Sequence, residues 1–341
     1  MSESFVNRWL RVLLFLVGVA LFGWLVAAVG LSQLRDDAMA SGWMMVPIVL
    51  LFSIVYLCDT QALRLILADD PNRPGFATLF TTVVSGNALN CITPMVAIGG
   101  EPYKVATLAP WIGAGRATGG VILHAMIRTL AQLLVWLTSI LLGFVLLPHT
   151  PGVLGLLVLG LAGVGGLIAL LLAVHRRGGV ARVVGWVGRV PFLRRVAAKL
   201  DRQRPTIEAM DAQITDFYHR SPRRFRAALG FEYLAKAIFM AEFCLIGLSV
   251  GVRVGYLSAF CIGGLEGLIS NVFFFVPFQL GTRESATVLM FQQLGFTGAF
   301  GLFAALVGRI RDLIWIATGL GLIWVRTRRA GPALEPVGPS R

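Results

Sequence analysis

Two short stretches hold most of the residues able to do chemistry in an otherwise apolar chain. The first reads Ile98-Gly99-Gly100-Glu101-Pro102-Tyr103-Lys104, with Asn90 and Pro94 upstream. Two glycines followed by Glu-Pro mark a turn that opens a helix, with Pro102 in its first turn. Free backbone N–H groups and the helix dipole at such a start favour an anion, for instance a lipid phosphate. Glu101 would be repelled by that anion unless protonated or paired. Other roles stay open for it: holding a cationic headgroup, carrying a proton, or satisfying donors at its own helix start. The second stretch repeats the theme, with Asn271, Pro277, Gly281, Arg283 and Glu284.

Intramembrane cations come next. Arg128 lies inside an apolar run, where an isolated charge costs several kcal/mol, so it must be paired or face a cavity. Glu101 is a candidate partner. In the second half Arg309, Arg311 and Asp312 fall together, and an Arg309–Asp312 pair on one helix is the structural alternative to a site. Glu242 and Glu266 are apolar-flanked acids suited to a cavity or a relay. Asp59 and Arg64 stand near the end of a helix and are expected to snorkel towards headgroups. The four histidines and four cysteines are scattered, with no CxxC spacing, and read as lone polar groups and not as metal ligands. A hydrolase elbow, a P-loop and an H-E-x-x-H are all missing from the sequence, which counts mildly against an enzyme. No cofactor is expected.

The elements that must carry these residues follow from composition. Of 341 residues 57% are hydrophobic and 14% charged, and the mean hydropathy is +0.78. A soluble domain carries about a quarter charged residues. Apolar runs without period-2 alternation exclude an outer-membrane barrel. The net charge of +13 is concentrated beside apolar runs, above all at 176–226, where thirteen Arg and Lys face four acids. That pattern is the positive-inside signature of cytoplasmic loops and not a nucleic-acid surface.

Apolar spans are expected over Val12–Leu34, Gly42–Ala68, Arg116–Leu147, Gly152–Val174, Ala227–Val250 and Thr297–Arg326. The stretches 76–111 and 256–294 are apolar but broken mid-way by Gly and Pro. Starting inside at Arg8 and Arg11 and keeping 176–226 inside, each broken stretch must enter and leave on one face. The expected architecture is an all-α polytopic membrane protein of about six full transmembrane helices plus two opposed re-entrant helical hairpins. The domain plan is a single integral membrane domain over 1–326, a cytoplasmic basic amphipathic segment at 176–226 and a disordered basic tail at 327–341. Within 176–226, Leu193, Leu200, Ile207 and Ile214 recur every seven residues, as on an amphipathic surface helix, with Pro205 as a kink. An inverted repeat is expected too. Gly120, Arg128 and Trp136 follow the first broken stretch, and Gly301, Arg309 and Trp315 follow the second.

Taken together, Asn90…Thr93-Pro94…Gly99-Gly100-Glu101-Pro102-Tyr103-Lys104, Pro277…Leu280-Gly281-Thr282-Arg283-Glu284 and Arg309-Ile310-Arg311-Asp312-Leu313-Ile314-Trp315 resemble the flippase-like membrane family related to the transmembrane part of lysylphosphatidylglycerol synthase. The resemblance runs from about Val12 to Arg326. It implies a bacterial-type inner-membrane protein that binds or translocates lipids: phospholipids, hopanoids or polyprenyl-linked lipids. The synthases carry a soluble aminoacyl-transferase domain after the membrane part, whereas here only 327–341 follow, so synthase activity is not expected. Lys104 stands where the commoner Gly-Glu-x-x-Arg form has arginine, which keeps the charge but loses the bidentate grip on phosphate.

The expected function is therefore lipid transport, with the headgroup between the two hairpins. Asn90, Gly99, Gly100, Glu101, Lys104 and Arg128 would line one half, and Asn271, Gly281, Arg283, Glu284 and Arg309 the other. An intramembrane transferase on a lipid-linked substrate and a non-transporting envelope scaffold are the competing classes. The partners are membrane lipids and no nucleic acid; a homo-oligomer remains open. Both termini are expected in the cytoplasm.

Overall fold

The computed structural model describes residues 39, 41–92, 99–177, 221–273, 279 and 281–329. The expected first helix at 12–34, Pro94, Pro277, the seven-residue periodicity and residues 330–341 of the expected tail at 327–341 lie outside the described residues; 327–329, expected to be disordered, are helical. Every regular element among the described residues is helical. A 3-10 turn at Gly42–Met44 leads into α1 (Met45–Ile66). Then come α2 (Phe76–Ile92), α3 (Gly100–Ile112), α4 (Ala114–Leu146) and α5 (Pro151–Arg177). The second half holds α6 (Pro222–Met240), α7 (Glu242–Ser249), α8 (Tyr256–Val272), α9 (Thr282–Gln293) and α10 (Gly298–Arg329).

Three described helical stretches are long and apolar enough to cross a bilayer: Gly42–Ile66, Ala114–Leu146 and Pro151–Leu172. The outward faces confirm what surrounds them. On α1, Val46, Leu50, Ile54 and Leu57 are exposed along one helical stripe, and on α5 Leu156, Leu159, Leu167 and Leu170 are exposed too. Such faces have no place in water, and they read as lipid-facing. Exposed Trp111 and Trp324 sit at one end of the bundle, and Trp43 and Tyr256 at the other, as aromatic anchors at two interfaces do.

The span expected at Ala227–Val250 is divided. Pro222 occupies the first turn of α6, where its missing N–H costs nothing. The helix stops at Ala241, whose N–H reaches Ile238 O at 3.0 Å in a tightened turn. The break leaves Glu242 at the start of α7, with its carboxylate inside the bundle.

The two broken helix pairs, α2/α3 and α8/α9, open at opposite ends. Around the 66–76 turn, Arg116 pairs with Asp70 at 3.1 Å, Arg224 pairs with Asp69, and Arg326 reaches Thr82 at 3.3 Å. An apolar core of Ile66, Leu79, Leu108, Ile112, Ala117 and Phe225 closes that end. A second core, with Leu147, Phe243, Val254, Phe291 and Phe300, closes the other end, around the connections before α5, α8 and α10. The halves interlock crosswise. Besides its own partner limb, α2 packs on α10 and α8 packs on α4, while α3 lies on α4 and α9 on α10. Both crosswise contacts use a serine to bond the facing backbone: Ser85 Oγ donates to Gly319 O at 3.1 Å, and Ser139 Oγ to Phe260 O at 3.1 Å. Small residues let the backbones meet. A Cβ on Gly319 would fall 2.4 Å from Ala88 Cβ, and one on Gly264 would fall 1.8 Å from Ser139 Oγ.

Candidate functional site

Between the two apolar cores lie two groups of charges. The first is built where α2 meets α3. Asn90, in the last turn of α2, ties the pair together: its Oδ1 accepts Gly100 N–H at 2.8 Å, and its Nδ2 donates to Glu101 Oε1 at 3.2 Å. Lys104 Nζ donates to the same Oε1 at 3.3 Å. The approach is close because both facing residues are glycines. A Cβ on Gly100 would meet Gly86 O at 1.9 Å, and one on Gly86 would meet Lys104 Cε at 2.6 Å. Gly99 forms the N-cap of α3. Lys104 is fully buried, while Glu101 keeps 29% of its side chain exposed and its Oε2 has no hydrogen-bond partner. Of the two, only the Glu101 side chain keeps some exposure, and its Oε2 is buried; the Lys104 ammonium is consumed in holding Oε1.

Arg128 does not pair with Glu101. Its Nη1 donates to Asn87 Oδ1 at 2.8 Å, and Asn87 Nδ2 donates to Asp59 Oδ2 at 2.9 Å. Asp59 is therefore buried and bonded, not snorkelling; Arg64 is exposed and lies over the Phe76 ring at 5.9 Å. His124 is not a lone polar group either. Its Nε2 is 2.9 Å from Asp59 Oδ1 and 2.9 Å from Glu232 Oε1, and all three residues are buried.

The second group is richer in arginine. Glu284 closes a capping arrangement on α9, accepting Gly281 N–H at 2.7 Å, and it also accepts Arg309 Nε at 2.7 Å. Gly281 has φ +79°, a left-handed conformation that suits glycine. Arg309 Nη2 also reaches Gln279 O at 3.1 Å. Arg283 Nη1 donates to Asp312 Oδ2 at 2.7 Å, and its Nε lies 3.6 Å from Glu266 Oε1, which also accepts Ser270 Oγ at 3.1 Å. Arg311 is buried between the Phe52 and Phe239 rings, its Cζ 3.8 and 5.1 Å from their centroids, and it bonds Glu242 and Asp312. The Arg309–Asp312 pair expected on one helix is thus replaced. Arg309 reaches across to Glu284, and Asp312 is taken by Arg311 and Arg283. Asn271 stands apart: it is exposed and donates to Gly267 O of its own helix at 2.8 Å.

The two groups approach each other. Tyr56 stacks edge-on with Trp315 at 4.7 Å and lies within electrostatic range of Asp59 on one side and Asp312 and Arg311 on the other. Exposed Cys91, at the end of α2, is in range of Arg128 as well as Asp312, Arg283 and Arg311. Arg283 and Asp312 keep 21% and 24% of their side chains exposed. Among the described residues, exposed Cys91 and partly exposed Glu101, Arg128, Arg283 and Asp312 stand near where the two groups meet.

Between α4, α5, α8 and α9, along the second apolar core, runs an apolar cleft of about 430 Å³ lined by Leu157, Gly160, Leu265, Leu268, Val272 and Met290 among others. It adjoins an open depression of about 510 Å³ at the start of α9, at Gly281, Thr282 and Ser285; Ile269 and Leu289 line both. The residues that sequence reasoning passed over, Asn87, His124, Glu232 and the Phe52/Phe239 clamp, did leave one signal. His124/Arg128 and Glu232/Lys236 are each spaced i, i+4, so polar groups recur on one face of an otherwise apolar helix.

Residues 9–321 match the family described as the lysylphosphatidylglycerol synthase TM region. The chain belongs to that family. As a lysylphosphatidylglycerol synthase TM region protein it is a membrane protein, in keeping with its lipid-facing helices. No curated protein and no solved structure matches the chain significantly.

Proposed function

We propose that this protein is a lipid transporter of the flippase type, not an enzyme. The headgroup occupies the mid-bundle polar groups, and the tails lie in the apolar cleft or in the bilayer. One observation carries the reading: partly exposed charges, Glu101, Arg283 and Asp312, stand near the starts of α3 and α9 and on α10, and an apolar cleft along the later part of α9 adjoins the depression at its start. Broken helices at mid-membrane are a recurrent way to build a substrate site, and irregular backbone is tolerated there where it lines a wet cavity. A site offering both signs of charge suits a phosphate-bearing headgroup, with Arg128 and Arg283 on the phosphate and Glu101 on any ammonium.

In this reading α2/α3 and α8/α9 are re-entrant from opposite faces, and the crosswise packing reflects an inverted repeat. The end carrying Arg73, Arg116, Arg224 and Arg326 faces the cytoplasm of a bacterial-type inner membrane, as the positive-inside rule requires. Transport proceeds as one half rocks against the other.

The test is to purify the protein gently, identify its co-purifying lipids by mass spectrometry, and compare wild type with Arg128→Ala and Glu284→Ala. One lipid class enriched in wild type and lost in both variants is expected. In proteoliposomes, wild type should speed the leaflet exchange of that lipid above protein-free vesicles. A bulk-membrane lipid profile for all three proteins, with no exchange, would sink the reading and move weight to a scaffold.

A further inference from the structure

The contact of Asp59, His124 and Glu232 asks for something at its centre. His124 Nε2 stands 2.9 Å from Asp59 Oδ1 and 2.9 Å from Glu232 Oε1, and the three ligand atoms lie within 4.8 Å of one another. One ring nitrogen carries at most one proton and donates one hydrogen bond. It serves Glu232 Oε1, while Asp59 Oδ1 is buried without any hydrogen-bond partner. Among the described residues no lysine or arginine lies within ion-pair distance of Asp59 or Glu232; Arg128, Lys104 and Lys236 act on the cluster only from farther off, Arg128 being hydrogen-bonded to Asp59 through Asn87. Two buried carboxylates converging on one nitrogen are costly as they stand.

We propose that Asp59, His124 and Glu232 bind a divalent transition-metal cation, Zn²⁺ or Mn²⁺. Donors about 2.1 Å from one cation lie about 3 Å apart at an octahedral right angle and about 3.4 Å apart at a tetrahedral angle, so the two 2.9 Å contacts need at most a few tenths of an ångström of opening to admit the ion. The cation takes the Nε2 lone pair in place of the contested proton, takes Asp59 Oδ1 as a ligand, and neutralises both carboxylates. One imidazole with two carboxylates suits Zn²⁺ or Mn²⁺; Mg²⁺ prefers to keep its waters, and these three residues are closed to solvent. Asn87 supplies the outer support, fixing Asp59 by its Oδ2. His124 Nδ1 has no partner, which weakens the site relative to a fully supported histidine without changing its donor set. The ligands come from α1, α4 and α6, so the ion fastens the helix that opens the second half to two helices of the first. It also sets the Asp59–Asn87–Arg128 chain, and so positions Arg128.

The test is metal content and metal response, neither of which depends on transport. Wild type is purified in detergent without chelator and its zinc and manganese are measured by mass spectrometry. A portion is then stripped with EDTA and titrated with ZnCl₂ or MnCl₂ while thermal unfolding is followed. Expected are about one ion per chain, a Tm lowered by stripping and restored by one of the two ions, and roughly tenfold or greater loss of bound ion in His124→Gln and Glu232→Gln. The stripped wild type alone suffices if the variants do not fold. Wild type that carries no ion and shows no Tm response to either metal overturns the proposal and leaves a shared proton at this contact. Full retention of the ion in both variants overturns it as well.

Discussion

The two charged groups solve the same problem with different chemistry. Around α8, α9 and α10, four acids meet three arginines directly: Glu242 with Arg311, Glu284 with Arg309, and Glu266 and Asp312 with Arg283. Around α2, α3 and α4, neutral amides intervene. Asn90 stands between Gly100 and Glu101, Asn87 stands between Arg128 and Asp59, and a histidine lies between two carboxylates. A direct Arg–carboxylate fork is strong and rigid. An amide relay is weaker, and besides its one direct ion pair, Lys104–Glu101, the first group leaves Glu101 Oε2, Asp59 Oδ1 and His124 Nδ1 unsatisfied, against Glu242 Oε1 in the second. The second group therefore reads as the fixed side of the bundle and the first as the side able to exchange partners with a ligand.

The largest break in that comparison is Arg311→Ala. It strips the partner from buried Glu242 and removes a cation clamped between Phe52 and Phe239. A buried charge left alone costs about 3–5 kcal/mol, so little folded protein should survive in detergent by size exclusion and thermal unfolding. Arg311→Lys should restore only part of it, because an ammonium offers neither the planar stack nor the fork. Near-wild-type stability of Arg311→Ala would mean that the second group is not the rigid one. The matching break in the first group is Asn87→Leu, which separates Arg128 from Asp59 while keeping the volume. It should cost about 1–3 kcal/mol and leave a folded protein. Its lipid retention should fall more than its Tm; an unchanged lipid profile would argue that the relay is purely structural.

This asymmetry also explains what the sequence could tell. Gly99-Gly100-Glu101 and Gly281-Thr282-Arg283-Glu284 were legible as helix starts, because glycine and capping chemistry act over a few residues. The long helices 45–66, 114–146 and 298–329 followed from extended, mostly apolar runs free of proline and turn signals in their middles. Partner choice was not legible. Asp59 and Asn87 come from different helices, as do Glu242 and Arg311, and only packing decides which acid a buried arginine reaches. The nearest candidates in sequence, Glu101 for Arg128 and Asp312 for Arg309, lost to residues on other helices. The end of α6 at Ala241 carries neither glycine nor proline, so no local signal announced it.

A finer probe compares the two helix starts themselves. Gly100→Ala would drive a Cβ to 1.9 Å from Gly86 O, a backbone atom that cannot step aside without parting α2 from α3. Gly281→Ala meets no neighbour within 4 Å and pays only for its φ of +79°. Overpacking against backbone costs about 1–3 kcal/mol and a left-handed alanine roughly 1–2 kcal/mol. Gly100→Ala should thus lower Tm more and should also loosen the Asn90–Glu101–Lys104 arrangement and lipid retention with it. Equal Tm losses would mean that the two starts are held alike.

The smallest effect lies at the end of the bundle where exposed cations meet the 66–76 turn. Arg116 and Arg224 pair with Asp70 and Asp69, but their side chains are 69% and 40% exposed. Water screens such pairs, so Arg116→Ala and Arg224→Ala should each change stability by about 0–1 kcal/mol. Whatever change appears should shrink as salt is raised from 0.1 to 1 M, since the screening length falls from about 10 to about 3 Å. Arg311→Ala should keep its full cost across the same range, because no salt reaches a guanidinium enclosed by two phenyl rings. Parallel salt titrations of the Tm of the three variants separate charges that hold the fold from charges that only face the headgroups, and a salt-sensitive Arg311 would place that residue in the second class.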